Sequence, residues 1–316
     1  MFVLQSLLRG VSRVVGVLDF VGVSAGATSG AAAMTAQRPA RSRRIWLCAD
    51  DYGISSAVNA AIRDLILRGR LNATSVMVGT PSFQRSEALS LAMLNVGADR
   101  VAIGLHVTLT APFRPLNGPF KPLDQGGFLS LNDTVMSAFL RRFDVDAVAV
   151  EVATQMQAFV AAFGRPPDFV DGHQHVHLLP QIRDAVLSVV RRFAPNAWVR
   201  QCGRALPLYK RLADRKGLFL DVLSHSFRAR AAEYRVATNA AFAGTYDFHA
   251  DTPFATLFST FLDQLPDGGV VMCHPGFVDL ELKRLDPLTG LREQEYAFFV
   301  GESFPNLLAT HGVALA

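Results

Sequence analysis

The stretch "LCADDYGISSAVNAA", residues 47–61, passes from an apolar run through two adjacent carboxylates and a glycine into a helical pattern. "RIWLCA" (44–49) is apolar and β-prone, and "SAVNAAIRDLILRGR" (56–70) has helical character, with Ser55 or Ser56 placed as its cap and Gly69 near its end. Strand, turn and helix therefore follow one another here as a first βα unit. Asp50 and Asp51 fall at the mouth of the strand, where two like charges repel. Such a pair needs a cation or a proton beside it.

Working outward, the same rhythm recurs. "ATSVMVG" (73–79) reads as a second strand, "SEALSLAMLN" (86–95) as a helix and "RVAIGLHVTL" (100–109) as a third strand. The Pro- and Gly-dense stretch 112–131 reads as a long loop of the lid or substrate-binding kind. Asp133 to Phe163 reads as one helical pattern, "PDFVDGHQHVH" (167–177) as a strand running into a polar crest, "QIRDAVLSVVRRF" (181–193) as a helix and "AWVRQC" (197–202) as a strand. "ATLFSTFLDQL" (255–265) reads as a helix, and "GGVVMCHPG" (268–276) and "HGVALA" (311–316) as strands. This alternation predicts an α/β fold with a mostly parallel sheet, as one domain over residues 44–316 and a barrel of seven or eight strands.

Residues 1–43 stand apart: they are rich in Val, Ala, Gly and Ser without a burying pattern, and read as a disordered or mis-started extension, with Met34 as an alternative start. Arg9, Arg13 and Asp19 interrupt the apolar run, so no integral membrane span is expected. A secretory signal within residues 1–30 is the less favoured reading, because its uninterrupted apolar core is short.

Hydrophobic residues make up 50% of the 316-residue chain, enough for a sizeable core. Lys and Arg number 31 against 27 Asp and Glu, a net charge of +4 with no aromatic-interleaved basic stripe, which argues against nucleic acid as a partner. Arg38, Arg41, Arg43 and Arg44 form a dense basic cluster that reads as a solvated linker. The cysteines, Cys48, Cys202 and Cys273, are odd in number and lack CxxC spacing, so a reducing, cytoplasmic setting is expected.

Four polar crests fall at the same point of the rhythm, each directly after an apolar strand: Asp50 with Asp51; His106; His173 with His175 and His177; and His274. In parallel α/β architectures the carboxyl ends of strands converge on one face, which makes these residues spatial neighbours. Each has a bland reading. Paired Asp residues cap helix starts, a lone His is commonly satisfied locally, and a His before Pro can cap a strand. Three histidines within five residues are harder to assign to packing, and extended alternation would place them on one side. Asp with two His is a ligand set for a divalent ion that keeps positions open for water and substrate. One aspartate of the pair could then hold the ion while the other takes a proton from water.

"ADDYGIS", "SAVNAAI", "TSVMV", "IGLHVTLT", "DGHQHVHLLPQI" and "MCHPG" resemble the successive motifs of the YdjC-like carbohydrate deacetylases, a group that includes chitooligosaccharide deacetylases and deacetylases associated with hopanoid biosynthesis. The resemblance runs from about Arg44 to the end. It implies a distorted (β/α) barrel of about seven parallel strands, related to the polysaccharide deacetylases, with one divalent ion, magnesium or zinc. It further implies Asp51, His106 and His173 as metal ligands, Asp50 as general base and His274 as acid or oxyanion partner. His175 and His177 are expected to support the ligands rather than join them. Arg200, with Arg204 as its rival, is expected to meet a carboxylate such as Asp50 or a substrate oxygen.

The function expected is metal-dependent hydrolysis of the N-acetyl group of an amino sugar, oligosaccharide or glycolipid. The alternatives are a metal-dependent hydrolase of another bond, such as a phosphoester, and a non-catalytic sugar-binding protein of the same fold. The chain lacks the carboxylate and basic cluster usual around two metals and a phosphate, and a binding protein has no need of both Asp50 and His274. The loop 112–131 and the segment 202–250, with Phe219, Phe227, Tyr234, Phe242, Tyr246 and Phe248, are expected to shape specificity. A homodimer is an open expectation.

Overall fold

A computed structural model describes residues 42–118, 120–206, 209, 214–246 and 253–316. The extension expected over residues 1–43 lies, apart from Ser42 and Arg43, outside the described residues. Ser42–Ala316 make one compact unit.

Seven parallel strands line up in the order β5-β4-β3-β2-β1-β7-β6, with β8 pairing to the start of β1. The seven are β1 (Arg43–Tyr52), β2 (Ala73–Val76), β3 (Ala102–Val107), β4 (Phe169–Gly172), β5 (Trp198–Val199), β6 (Phe242–Ala243) and β7 (Val270–Cys273), and β8 (Val313–Leu315) is an eighth strand of the same sheet. The sheet curls into a barrel that is closed only in part. Between its edge strands a bridge joins Val199 to Thr238. Beyond it the Asn239 side chain takes over from the missing ladder, accepting from the Gln201 amide at 2.7 Å and donating to the carbonyls of Gln201 and Ala241 at 3.1 and 2.8 Å. This is the curled parallel barrel the βα rhythm predicts.

The described helices are α1 (Ser56–Leu67), α2 (Arg85–Ala92), α3 (Leu131–Phe139), α4 (Val145–Phe163), α5 (Ile182–Phe193), α6 (Arg215–Tyr234), α7 (Phe254–Leu262), α8 (Leu280–Leu285), α9 (Gly290–Val300) and α10 (Ser303–Thr310). Ser55 is the cap of α1, its side chain accepting from the Val58 amide. The pattern read as one helix from Asp133 to Phe163 is two. Arg141 takes a left-handed φ of 54°, and the Asp144 side chain caps a fresh start by accepting from the amides of Asp146 and Ala147. α4 has the length and apolarity of a membrane-crossing helix. Its buried face carries Glu151 and Gln155, which hold the backbone at Leu116, Asn117 and Thr108, the arrangement of a core helix.

Alternate residues of β1, Trp46, Cys48 and Asp50, share one face, and on it the barrel fills in layers. At the lower end Trp198 stacks on Phe169 with ring centroids 4.6 Å apart and lies 6.3 Å from Trp46. Phe169 occupies the space over Gly104 of β3, where an added Cβ would come within 2.4–2.6 Å of the ring. The next layer upward carries charge: Arg200 reaches Cys48, Asp50 and Asp171. Gly104→Ala is expected to cost about 1–3 kcal/mol through overpacking. Chemical denaturation checks this, and Phe169→Leu in the same chain should recover part of the loss.

Candidate metal centre and active site

The site is built where β1 stops alternating. In a regular strand Asp50 and Asp51 would point to opposite faces. Asp51 instead adopts φ +68°, within a register break between Ala49 and Tyr52 against β2, and its carboxylate turns to the same mouth as that of Asp50. A non-glycine residue held there costs of order 1–3 kcal/mol, a cost tolerated chiefly at functional positions.

Around Asp51 the ligand-type residues converge. Its Oδ1 lies 3.0 Å from His173 Nδ1 and 3.3 Å from His106 Nε2, and all three residues are buried. One donor atom from each lies within 4.8 Å of the others. Bonds of about 2.1 Å to one ion place neighbouring ligands about 3.0–3.4 Å apart, so these separations match the edges of a coordination polyhedron. His106 arrives from β3. Its Nδ1 is 2.6 Å from Asp171 Oδ1 and 3.0 Å from Ser75 Oγ, which fixes the ring with Nε2 toward Asp51. Burial alone would lower the pKa of this imidazole, but Asp171 and Asp51 override it and raise it to about 10.

The fit is specific to this triad. Cys48, Asp50 and Asp171 also cluster closely, but a guanidinium fills the place a cation would take. Arg200 NH1 and NH2 donate to the two Asp50 oxygens at 2.6 and 2.7 Å, and NH2 is 3.0 Å from Cys48 Sγ. The same nitrogen makes an ion pair with Asp171 Oδ2 at 2.6 Å, at an angle too poor for a hydrogen bond. Burial works to raise the Asp50 carboxyl, but Arg200 wins and holds it well below the usual range. Arg204 is engaged elsewhere, with Asp221 at 2.8 Å and Asp214 at 2.6 Å.

The three histidines of "HQHVH" do not share a side. The chain leaves β4 at Gly172 and coils into a 3-10 turn over His173–Leu178, with Gln174 and His175 at φ +55° and +61°. The extended reading of this stretch is thereby corrected: a tight turn needs far less length than a strand and sends successive side chains different ways. His173 goes to Asp51. His175 meets Cys202 Sγ at 3.5 Å and the Phe242 ring edge-on. His177 bonds through Nε2 to the Arg200 carbonyl at 2.7 Å, fastening the turn to the segment after β5, and burial lowers its pKa to about 4.

His274 follows β7. Its backbone amide donates to Glu295 Oε2 at 2.5 Å, and Glu295 Oε1 accepts from Tyr246 at 2.7 Å. Burial pushes the His274 imidazole below its ordinary pKa against the pull of Asp51, and raises the Glu295 carboxyl to about 7. Asp50, Asp51, His106, His173, His175 and His274 all line one cavity of about 290 Å³, walled further by Leu131, Lys216, Thr245 and Asp286–Leu288. Phe113, from the 112–131 loop, packs edge-on against His173. Of the aromatic residues expected to shape specificity, Phe227 packs behind the site on His177, Phe242 meets His175 edge-on and lines a neighbouring cavity, Tyr246 holds Glu295, and Phe248 lies outside the described residues.

Three contributors escape the sequence reading: Asp171, Arg292 and Glu295. Asp171 directly precedes a glycine in the crest already singled out, and that position at a strand end was the available signal. Arg292 NH2 bonds Asp51 Oδ2 at 2.6 Å and Asp286 Oδ2 at 2.7 Å.

Comparison with known proteins follows the same lines. A chitooligosaccharide deacetylase of Yersinia pestis (strain Pestoides F) is 29% identical over 236 residues, covering 74% of this chain and 82% of its own. The crystal structure of a candidate cellobiose-phosphate cleavage protein from Enterococcus faecalis V583 superposes with a TM-score of 0.69 at 21% identity, covering 87% of this chain and 97% of that one. A peptidoglycan N-acetylglucosamine deacetylase superposes with a TM-score of 0.46 at 10% identity over 88% and 87% of the two chains. The family model for YdjC-like proteins matches residues 44–310, and the chain belongs to that family.

Proposed function

We propose that the chain hydrolyses the N-acetyl group of an acetylated amino sugar or oligosaccharide, releasing acetate, with one divalent ion held by Asp51, His106 and His173. The observation that carries this reading is the buried triad set beside a second, separately neutralised carboxylate at the mouth of one cavity. The related chitooligosaccharide deacetylase supports the substrate class.

A divalent ion in the triad would polarise the acetyl carbonyl and lower the pKa of water from about 16 toward about 7. The chain's own groups do the rest. Asp50, kept ionised by Arg200, takes the proton of the attacking water; because its proton affinity is low, it serves only water that is already acidified. His274 lines the same cavity and can pass a proton to the departing amine nitrogen; because burial lowers its pKa, it carries that proton in only a minor fraction of molecules at neutral pH. His173, braced by Phe113, and His106, braced by Asp171, keep the triad in place. The cavity, about 290 Å³, admits one sugar ring with its acetyl group, and Thr245 continues into a neighbouring cavity of about 260 Å³ where a second ring can lie.

Acetate release from chitobiose, longer chitooligosaccharides and a lipid-linked amino sugar is the direct test, and release should vanish with chelator. Asp50→Asn should retain the ion and lose about 10²–10⁴ in kcat, the usual contribution of a general base. His106→Ala and His173→Ala should lose both ion and rate, as metal analysis of the purified variants will show. Near-normal turnover by Asp50→Asn would remove it as the base.

Uptake of the ion should also depend on pH. With its pKa raised to about 10, His106 is protonated at neutral pH, and a ligand nitrogen must be free of its proton. Binding should therefore release a proton, and affinity should rise about tenfold per pH unit between about pH 7 and 9. Calorimetry in buffers of different ionisation enthalpy measures the released proton directly.

A further inference from the structure

Arg292 sits outside the ligand set and outside the cavity wall, yet it touches both. It lies on α9, fully buried, and its side chain is anchored at three points. NH2 donates to Asp51 Oδ2 at 2.6 Å and to Asp286 Oδ2 at 2.7 Å, while Nε donates to the Leu288 carbonyl at 2.9 Å. Its backbone carbonyl accepts from the Gly276 amide at 3.1 Å, two residues after His274. The two oxygens of Asp51 consequently have separate partners. Oδ1 faces His106 and His173, and Oδ2 is taken by the guanidinium.

We propose that Arg292 is a positioning residue that commits Asp51 to the divalent ion through Oδ1 alone, keeping coordination positions open for water and substrate, and that it locks the Asp286–Leu288 wall of the cavity to the same carboxylate. This rests on the metal-centre reading of the triad. A carboxylate bound through both oxygens would fill a position the reaction needs. Asp51 cannot bind that way while a charge-assisted bond holds Oδ2, and three anchors prevent the guanidinium from following the carboxylate round. Lysine could not substitute, since one ammonium on a flexible stem does not span Asp51, Asp286 and the Leu288 carbonyl together.

Cobalt(II) loaded into the full-length protein reads this directly, because its visible absorption weakens as coordination number rises. Arg292→Met is expected to bind cobalt at least as tightly as the unaltered chain, since a positive charge has gone and a second oxygen is freed. Its visible band should fall about twofold or more. Acetate release should fall about tenfold or more, with the loss in kcat rather than KM. An unchanged band, or weakened binding with the band of the bound fraction unaltered, would overturn the proposal, because a purely structural role predicts either. Should Arg292→Met not fold, Arg292→Lys carries the same test with a smaller loss of absorption expected, and an unaltered band again overturns it. A chain that takes up no cobalt would remove both the metal centre and this role. A shifted band in a protein that releases no acetate from any N-acetyl sugar would uphold the role of Arg292 and remove only the substrate reading.

Discussion

Two carboxylates adjacent in sequence face one mouth, and the site depends on the chain tolerating this. Backbone and charge solve it together. The left-handed turn at Asp51 brings the second carboxylate round, and a separate buried arginine meets each: Arg200 for Asp50, Arg292 for Asp51. Each arginine is also shared with a further aspartate, Asp171 or Asp286.

Burying so many charges is expensive, and ion pairs of this kind seldom raise stability over an apolar core of the same shape. Their value lies in fixed geometry. Asp171 illustrates it: one oxygen orients His106 and the other faces Arg200, so the His106 side and the Asp50 side of the cavity share a single carboxylate. The layers beneath supply rigidity. Trp46, Phe169 and Trp198 fill the barrel's lower end, and Gly104 gives way so that Phe169 can lie flat beneath the charged layer.

Much of this is legible in the amino-acid order. Apolar runs ending in Asp or His mark the strand mouths, since a buried strand must be apolar along its length and can afford polarity only where it emerges. The four crests do meet. What escapes has a common cause. In the turn 173–178 two non-glycine residues take left-handed backbone, against local preference, so alternation misplaces His175 and His177. Arg292 and Glu295 lie in "REQEYAFF", away from every strand-end crest, so no pattern in the sequence singles them out. Only tertiary packing shows that both are buried and aimed inward. The helix break before Asp144 was signalled by a capping residue but outweighed by the apolar pattern on either side of it.

The pairing of Asp51 with Arg292 spans 241 residues, and this has a bearing on synthesis. A chain made from its N-terminus completes the strands carrying Asp50, Asp51, His106 and Asp171 long before the helix that neutralises Asp51 emerges. Until then the first aspartate pair lacks half of its counter-charge, and closing so long a loop is slow. The contact that completes the charge balance thus joins segments far apart in the chain, and a nascent chain that stops short of Arg292 holds most of the barrel's strands without a finished centre.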